Sequence, residues 1–470
     1  MLKDTVTFRP HQAKILPTAV ESDAYGLFHD MGRGKTLTAI AATFEKYEQG
    51  KINAHLVIPL TTIKSTWVME YAKFSEDDSY DVFVMESGKT QQAKQWISEP
   101  STKLKVFIVG VESLSQGVAF ELAYMFVKEQ KTHITIDEST SIKNATSLRT
   151  KKLFKLAKSS VSRFILTGTP NPNGLEDLYA QFYFLDPLII GLKSYFAFRS
   201  RYCLMGGFEG RKVIGYQNED ILWGLLRPHC DVVKVDETEM PERQWLQVQV
   251  PVTPEQKRII KDLEGSFESE MGDKILSTST ILERLTRFQQ VLGGSFPYIN
   301  EDDVESGRYS VDNLAKIPKL DALVEQIGLL PANAKVIIWA RFIPEIHRIV
   351  EALEKANLGT VVQFHGLVSS TDRDKATEDF QNGKARFMIT NKSGARGQTW
   401  TSAAYSIFYS NDYSYEVREQ AERRNWGRDA STHDVVYIDL VAESKYDKAT
   451  ILAIKTKKNV ADLIKEELMK

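Results

Sequence analysis

Short, nearly all-apolar runs of β-branched residues recur along the first part of the chain. They are Leu56-Val57-Ile58, Val106-Phe107-Ile108-Val109, Ile134-Thr135-Ile136 and Phe164-Ile165-Leu166. Segments of helical period separate them, which is the pattern of buried parallel strands in βαβ units. One more apolar run, Gly26-Leu27-Phe28, leads into a glycine turn. Beyond the turn, Leu37, Ile40, Ala41 and Phe44 fall three or four apart, as on one helix face, and Gly50 closes that helix. Each run ends in polar or small residues: Pro59-Leu60-Thr61-Thr62, Gly110-Val111-Glu112-Ser113, Asp137-Glu138-Ser139-Thr140 and Thr167-Gly168-Thr169-Pro170. Ligand chemistry in an open parallel sheet sits at the carboxyl ends of the strands. These tails are therefore expected to gather around the loop that follows Phe28.

Residues 175–330 change character. An aromatic-rich helical pattern (Tyr179, Phe182, Tyr183, Phe184, Tyr195, Phe196, Phe198) leads to a glycine turn at Gly206-Gly207, then an alternating strand Trp245–Val250, then more helix after Pro254. The aromatic stripe reads as core packing in preference to a base-stacking platform. Asn300–Ser310 reads as an exposed loop. From Ala334 the strand–helix alternation restarts with Val336–Trp339, Val361–Phe364, Phe387–Thr390, Ile407–Tyr409 and Val435–Ile438. The expected fold class is α/β with two parallel-sheet lobes, 1–237 and 238–470. Helical insertions are expected at about 175–230 and 254–330, and a C-terminal helix at about 444–470.

At 470 residues, two or three domains are expected. The composition, 42% hydrophobic and 26% charged, is that of an ordinary globular chain. A net charge of −2 supplies no global basic field, so nucleic-acid binding would have to come from local patches. One candidate, Lys151-Lys152-Leu153-Phe154-Lys155, reads by itself as a solvated helix face. Two cysteines exclude a disulfide framework and give no metal spacing. No apolar run approaches membrane-spanning length, and the N-terminus lacks a signal-like core. A cytosolic location, in a bacterium or a phage-infected host, is expected.

Gly32-Arg33-Gly34-Lys35-Thr36 is where chemistry enters. A glycine turn opening a helix points backbone N–H groups at one spot, and the helix dipole adds to them. Lys35 would place a charge on terminal phosphates, and the Thr36 hydroxyl can hold Mg²⁺. His29 stands where the full phosphate-loop pattern has its first glycine. Alone, the stretch reads either as a phosphate cradle or as a turn that caps a helix. Asp137-Glu138 at a strand end supplies the partner: one carboxylate for Mg²⁺, one to orient attacking water.

In this setting the chain resembles the superfamily-two helicases, in particular the SWI/SNF-like DNA translocases of compact phage or bacterial type. Phe8-Arg9-Pro10-His11-Gln12 resembles their adenine-reading motif, and His29–Thr36 matches their Asp-Glu-Met-Gly-Leu-Gly-Lys-Thr loop at most positions. Pro59–Thr62 with Trp67 and Glu70 is similar to the strand-gripping motif, and Asp137–Thr140 takes the place of Asp-Glu-Ala/Gly-His. Leu166–Pro170 is close to the coupling motif letter for letter. Leu225-Leu226-Arg227-Pro228, Met240-Pro241 and Val252–Gln256 resemble the SWI/SNF-like crossover, with Asp231-Val232-Val233 in place of the usual twin arginine. Phe364-His365-Gly366 with Arg373 and Phe380, Ser393–Ala403, and Gln420–Arg428 resemble the fourth, fifth and sixth motifs. The resemblance runs over about 8–440 in family order.

What it implies is two RecA-like lobes with ATP in the cleft between them, the helical insertions falling between the third and fourth motifs. Lys35, Asp137, Glu138, Arg424 and Arg428 would be catalytic, the two arginines as fingers worth roughly 10³–10⁵ in rate. Gln12, Gly32, Gly34, Lys35, Thr36 and Gly397 would hold the nucleotide; Thr36 and Asp137 would hold Mg²⁺. Thr61, Thr62, Ser113, Gly366 and Ser393 would grip nucleic-acid phosphates, with little sequence preference. Two departures stand out. Position 427, where the second finger is usual, is Gly, so either a bulge brings Arg428 into place or Arg424 acts alone. Ser139-Thr140 replaces the pair that links ATP state to DNA grip. The leading expectation is a monomeric, ATP-driven motor on duplex or branched DNA in replication, recombination or repair. An RNA-directed helicase and a non-hydrolysing DNA clamp are the alternatives, separated by ATPase assays with duplex DNA and with RNA.

Overall fold

The computed structural model describes residues 1–470 apart from 116, 173, 207–211, 235–239, 272–277, 299–309, 396–398, 427–433 and 457–470. The chain forms two compact units, Met1–Glu237 and Thr238–Lys470.

In chain order the first unit runs α1 (Pro10–Glu21), β1 (Ala24–His29), α2 (Lys35–Glu48), β2 (Ala54–Ile58), α3 (Lys64–Phe74), β3 (Tyr80–Val84), α4 (Thr90–Ser98), β4 (Leu104–Ile108), α5 (Gly117–Glu129), β5 (Thr132–Asp137), α6 (Leu148–Ala157) and β6 (Ser162–Leu166). Then come α7 (Glu176–Leu185), α8 (Pro187–Ile190), α9 (Tyr195–Tyr202), β7 (Cys203–Gly206), β8 (Lys212–Tyr216), α10 (Glu219–Leu226) and β9 (Cys230–Val233). Among the described residues, seven strands form one sheet in the order β3-β4-β2-β5-β6-β1-β9, every pairing parallel. Successive strand residues point to opposite faces. Leu56 and Ile58 join one core with α5, α6 and α7, while Val57 joins the other with α1, α2 and α3.

The second unit runs β10 (Arg243–Val250), α11 (Pro254–Met271), α12 (Thr278–Leu292), β11 (Ser295–Tyr298), β12 (Ser310–Asn313), α13 (Pro318–Leu329), β13 (Val336–Trp339), α14 (Ile343–Lys355) and β14 (Val361–Phe364). It ends with α15 (Ser370–Gln381), β15 (Phe387–Thr390), β16 (Tyr405–Phe408), α16 (Tyr415–Glu422), β17 (Val435–Ala442) and α17 (Lys445–Thr456). Among its described residues six strands form one sheet in the order β10-β17-β16-β13-β15-β14, every pairing again parallel. The α/β class and both parallel sheets agree with the hydrophobic pattern.

Both insertions depart from the all-helical expectation. Residues 175–230 include the antiparallel hairpin β7–β8, and residues 254–330 include the hairpin β11–β12. Two sheet strands were not read from the pattern. β3 carries Asp81 in the middle of a half-buried edge, and β9 is four residues long with Asp231 inside it. Gly207, in the expected glycine turn, and Asn300–Ser310 apart from Ser310 lie outside the described residues, as does the C-terminal helix beyond Thr456. The aromatic stripe packs as core: Tyr179, Phe182, Phe184 and Phe198 are buried, although Phe196 is exposed.

A polar network sits inside the first sheet. His55 and His133 are both buried, and their Nε2 atoms lie 2.8 and 3.1 Å from the Thr135 hydroxyl. The Tyr71 hydroxyl and the Ser162 hydroxyl meet their Nδ1 atoms at 2.5 and 2.8 Å. Burial holds the His55 imidazole down to about 3 and His133 well below the ordinary value. An unfolded histidine takes up its proton near pH 6.5, so below that pH the unfolded chain binds more protons than the folded one. Stability is therefore lost as pH falls from about 6.5 towards 3, at up to about 1.4 kcal/mol per pH unit for each histidine. In thermal melts between pH 7.5 and 4.5, His55→Gln should show a shallower pH dependence than the parent chain. An unchanged slope would mean that this histidine protonates without unfolding.

Candidate nucleotide-binding and catalytic site

The loop between β1 and α2 turns through two left-handed glycines, Gly32 (φ 71°) and Gly34 (φ 75°). Three side chains from the start of α1 hold its carbonyls. Arg9 Nη1 donates to Gly32 O (2.5 Å), His11 Nε2 to Arg33 O (2.9 Å) and Gln12 Nε2 to Gly34 O (2.9 Å). Gln12 is buried, and its Oε1 accepts from the Arg9 N–H at 2.9 Å. Its amide thus joins the expected adenine-reading motif to the phosphate loop through backbone contacts. A Cβ at position 34 would lie 2.4 Å from Gln12 Nε2, so the close approach needs glycine there.

Lys35 and Thr36 open α2 as expected, with Gly34 as its N-cap. The Lys35 ammonium donates to His29 O at 2.7 Å, folded back on the end of β1. The His29 imidazole, where a glycine is usual, is fully buried and donates through Nε2 to Asp231 Oδ2 at 2.9 Å. The Asp30 N–H donates to Val233 O at 2.8 Å. The start of the loop is thereby fastened to β9, a strand the hydrophobic pattern did not reveal.

Asp137 closes β5, and two N–H donors hold its carboxylate: Trp67 Nε1 on Oδ2 (2.9 Å) and the Glu138 N–H on Oδ1 (3.0 Å). Burial raises its pKa, opposed by the Trp67 bond, the Lys35 charge and the Glu138 N–H. Trp67, part of the segment similar to a strand-gripping motif, is buried and bonded to this carboxylate. Glu70, one turn further along α3, feels the Asp137 charge, although burial is the larger cause of its raised pKa. Glu138 is a non-glycine residue in the left-handed region (φ 50°, ψ 60°), a strained backbone of the kind found at functional sites. Its Oε2 accepts from the Thr167 hydroxyl at 3.5 Å.

The candidate phosphate grips are less uniform. The Thr61 N–H and hydroxyl both donate to Glu112 Oε2, at 2.8 and 2.7 Å. Thr62 is half-buried beside it, and Ser113 is exposed, its N–H on Gly110 O. In the second unit Gly366 and Ser393 are neighbours, with a Cβ at 366 falling 4.0 Å from Ser393 Oγ. Arg424 is buried just past α16, its Nε donating to Gln420 O at 3.0 Å, and its carbonyl accepts from the Trp400 N–H at 2.7 Å. Asn425 donates to Ala403 O, and Trp426 Nε1 to Pro241 O at 2.9 Å. Gly397, Gly427 and Arg428 lie outside the described residues. Sequence reasoning missed Arg418, whose buried guanidinium pairs with Asp439 at 2.5 Å and seats α16 on β17.

Residues 318–427 match the helicase conserved C-terminal domain. Residues 20–292, more than half of its length, match the SNF2-related domain, and the chain belongs to that family. It is 24% identical over 484 residues to the protein p41 of Acyrthosiphon pisum secondary endosymbiont phage 1, covering 99% of both chains, in keeping with a compact phage type. To the ATP-dependent DNA helicase DDM1 of Arabidopsis thaliana it is 24% identical over 429 residues, covering 85% of this chain and 54% of that one. The chain spans between 35% and 54% of the length of the plant, yeast and human relatives it matches. Among solved structures, the Sulfolobus solfataricus SWI2/SNF2 ATPase core in complex with dsDNA aligns with a TM-score of 0.42 and 21% identity, over 96% of this chain and 91% of that one.

The Trp67–Asp137 bond carries a prediction about pH. A donor on a carboxylate stabilises its charged form, so losing the donor raises the pKa. Trp67→Phe should shift the acid limb of the ATPase pH profile to higher pH and leave the alkaline limb in place. An acid limb that does not move would show that Asp137 does not set it.

Proposed function

We propose that the chain is a motor that hydrolyses ATP to move along DNA. The observation that carries this reading is the pairing, in a SNF2-related chain, of a pre-shaped phosphate loop at the end of β1 with the Asp137-Glu138 acid pair at the end of β5. Lys35 and the loop N–H groups bind the terminal phosphates, Glu138 orients the attacking water, and Arg424 and Arg428 stabilise charge in the transition state. Among the described residues no three acidic, His or Cys side chains form a metal cage. Thr36 and Asp137 offer hard oxygen ligands, so Mg²⁺ would be held by them and by nucleotide oxygens, its usual mode. The ion would supply neutralisation of phosphate charge. A relative named as an ATP-dependent DNA helicase supports DNA as the track. We assign duplex or branched DNA read through phosphates, action as a monomer, a role in remodelling such DNA during replication, recombination or repair, and a location in a bacterial or phage-infected cytosol.

The deciding experiment is the ATPase rate with linear duplex, branched DNA and RNA. Stimulation by DNA is expected; stimulation by RNA alone would make the chain an RNA helicase, and ATP-independent DNA binding without turnover a clamp. Lys35→Ala and Glu138→Gln should each abolish turnover, while Glu138→Gln still binds ATP. Near-parental turnover in either variant would remove the site assignment.

Affinity for DNA should fall linearly on a log–log plot against salt and differ little between sequences, as for a grip on phosphates. A salt-independent affinity, or one strongly preferred sequence in a binding selection, would contradict it. Arg428→Ala should cut DNA-stimulated kcat with ATP affinity nearly unchanged, because a finger acts on the transition state. Full activity in that variant would leave Arg424 as the acting arginine.

A further inference from the structure

The first of the two residues that depart from the family pattern after Glu138, Ser139, has a partner on α7. The Ser139 hydroxyl donates to Gln181 Oε1 at 2.6 Å, and Gln181 Nε2 donates to Pro170 O at 2.6 Å and Asp177 O at 2.8 Å. Ser139 and Gln181 are fully buried. The amide can sit only one way round, since a flipped Gln181 would set its oxygen against two carbonyl oxygens. Both ends of Thr167-Gly168-Thr169-Pro170 are therefore tied to the acid motif. Thr167 reaches Glu138, and Pro170 is joined through Gln181 to the next residue, Ser139. Glu138 lies at the joint in its left-handed conformation, so a shift at one strand end is carried to the other through the short Ser139–Gln181–Pro170 bonds, with the longer Thr167–Glu138 contact of 3.5 Å beside them.

We infer that Gln181 is a positioning residue that couples the Asp137–Thr140 acid motif to the Thr167–Pro170 loop, so that contact with nucleic acid is transmitted to the water-orienting Glu138. The inference rests on the reading of the chain as a DNA-stimulated ATPase. Ser139, where the family pattern has Ala or Gly, supplies the hydroxyl that this relay amide needs. Gln181→Leu keeps the volume and removes all three bonds, leaving Ser139, Pro170 and Asp177 without their partner.

The test is ATP turnover by the full chain with and without linear duplex DNA. Gln181→Leu should lower DNA-stimulated kcat by about tenfold or more, with basal turnover and the ATP KM within about twofold of the parent. Ser139→Ala, which deletes one hydroxyl, should move the ratio of stimulated to basal turnover in the same direction, and it carries the test if Gln181→Leu does not fold. In the double variant the two losses should not add, as expected for residues in one network. Retention of the parental ratio in Ser139→Ala and Gln181→Leu, or an equal fall in basal and stimulated turnover, would overturn the coupling role and leave the ATPase assignment standing. Absence of stimulation in the parent chain would overturn the functional reading itself, and this inference with it.

Discussion

Three successive carbonyls of the phosphate loop, those of Gly32, Arg33 and Gly34, are held by the side chains of Arg9, His11 and Gln12, and the first unit's site depends on that clamp. A peptide's N–H lies opposite its C=O, so fixing these carbonyls towards α1 directs the Gly34 and Lys35 N–H groups the other way. The left-handed glycines make the turn possible, and the missing Cβ at position 34 makes room for the Gln12 amide. The anion-binding end of α2 is thus shaped by contacts within the protein before any phosphate arrives, which lowers the ordering cost of binding one.

The same logic of backbone held by side chain extends along the strand ends. β1 lies between β6 and β9, so its loop neighbours Thr167–Pro170 on one side and Asp231–Val233 on the other. His29 and Asp30 are bonded to β9, while the acid motif at the end of β5 is bonded to the tail of β6. Asp137 keeps its place through the indole of Trp67, whose helix α3 packs in the same core as α2. Loop, acid pair and the Thr167–Pro170 segment are therefore one hydrogen-bonded edge of a single sheet. A rigid edge of this kind can transmit a small displacement, because close-packed elements shift together.

The strands that carry this edge were legible because each is a buried parallel strand written as an uninterrupted apolar run, and the loop because glycines at 32 and 34 have few other uses. β9 was not, since Cys230-Asp231-Val232-Val233 is short and owes its strand state to pairing with β1. The hairpins inside the insertions were hidden for a related reason: β7 and β8 are short, and the aromatic residues before them dominate the pattern. Trp67 and Thr61 were placed by motif position alone. Their partners, Asp137 and Glu112, lie far along the chain, and no local spacing announces a bond between elements that only the sheet order brings together.

The departures from the family pattern are not scattered losses. His29 stands where the family loop has an aspartate and is bonded to Asp231; Ser139 replaces a small residue and gains Gln181; Asn425 and Trp426 stand before Gly427 and are anchored to Ala403 and Pro241. In each case a buried side chain beside a functional segment meets a partner from a different element. A buried polar group without a partner costs about 1–3 kcal/mol, and these bonds offset that cost at one atom of each side chain, while His29 Nδ1 and Asn425 Oδ1 stay buried without a hydrogen-bond partner. The pairs tie the motifs to neighbouring elements of their own unit. Ser139–Gln181 is the one that joins two of them through a single side chain.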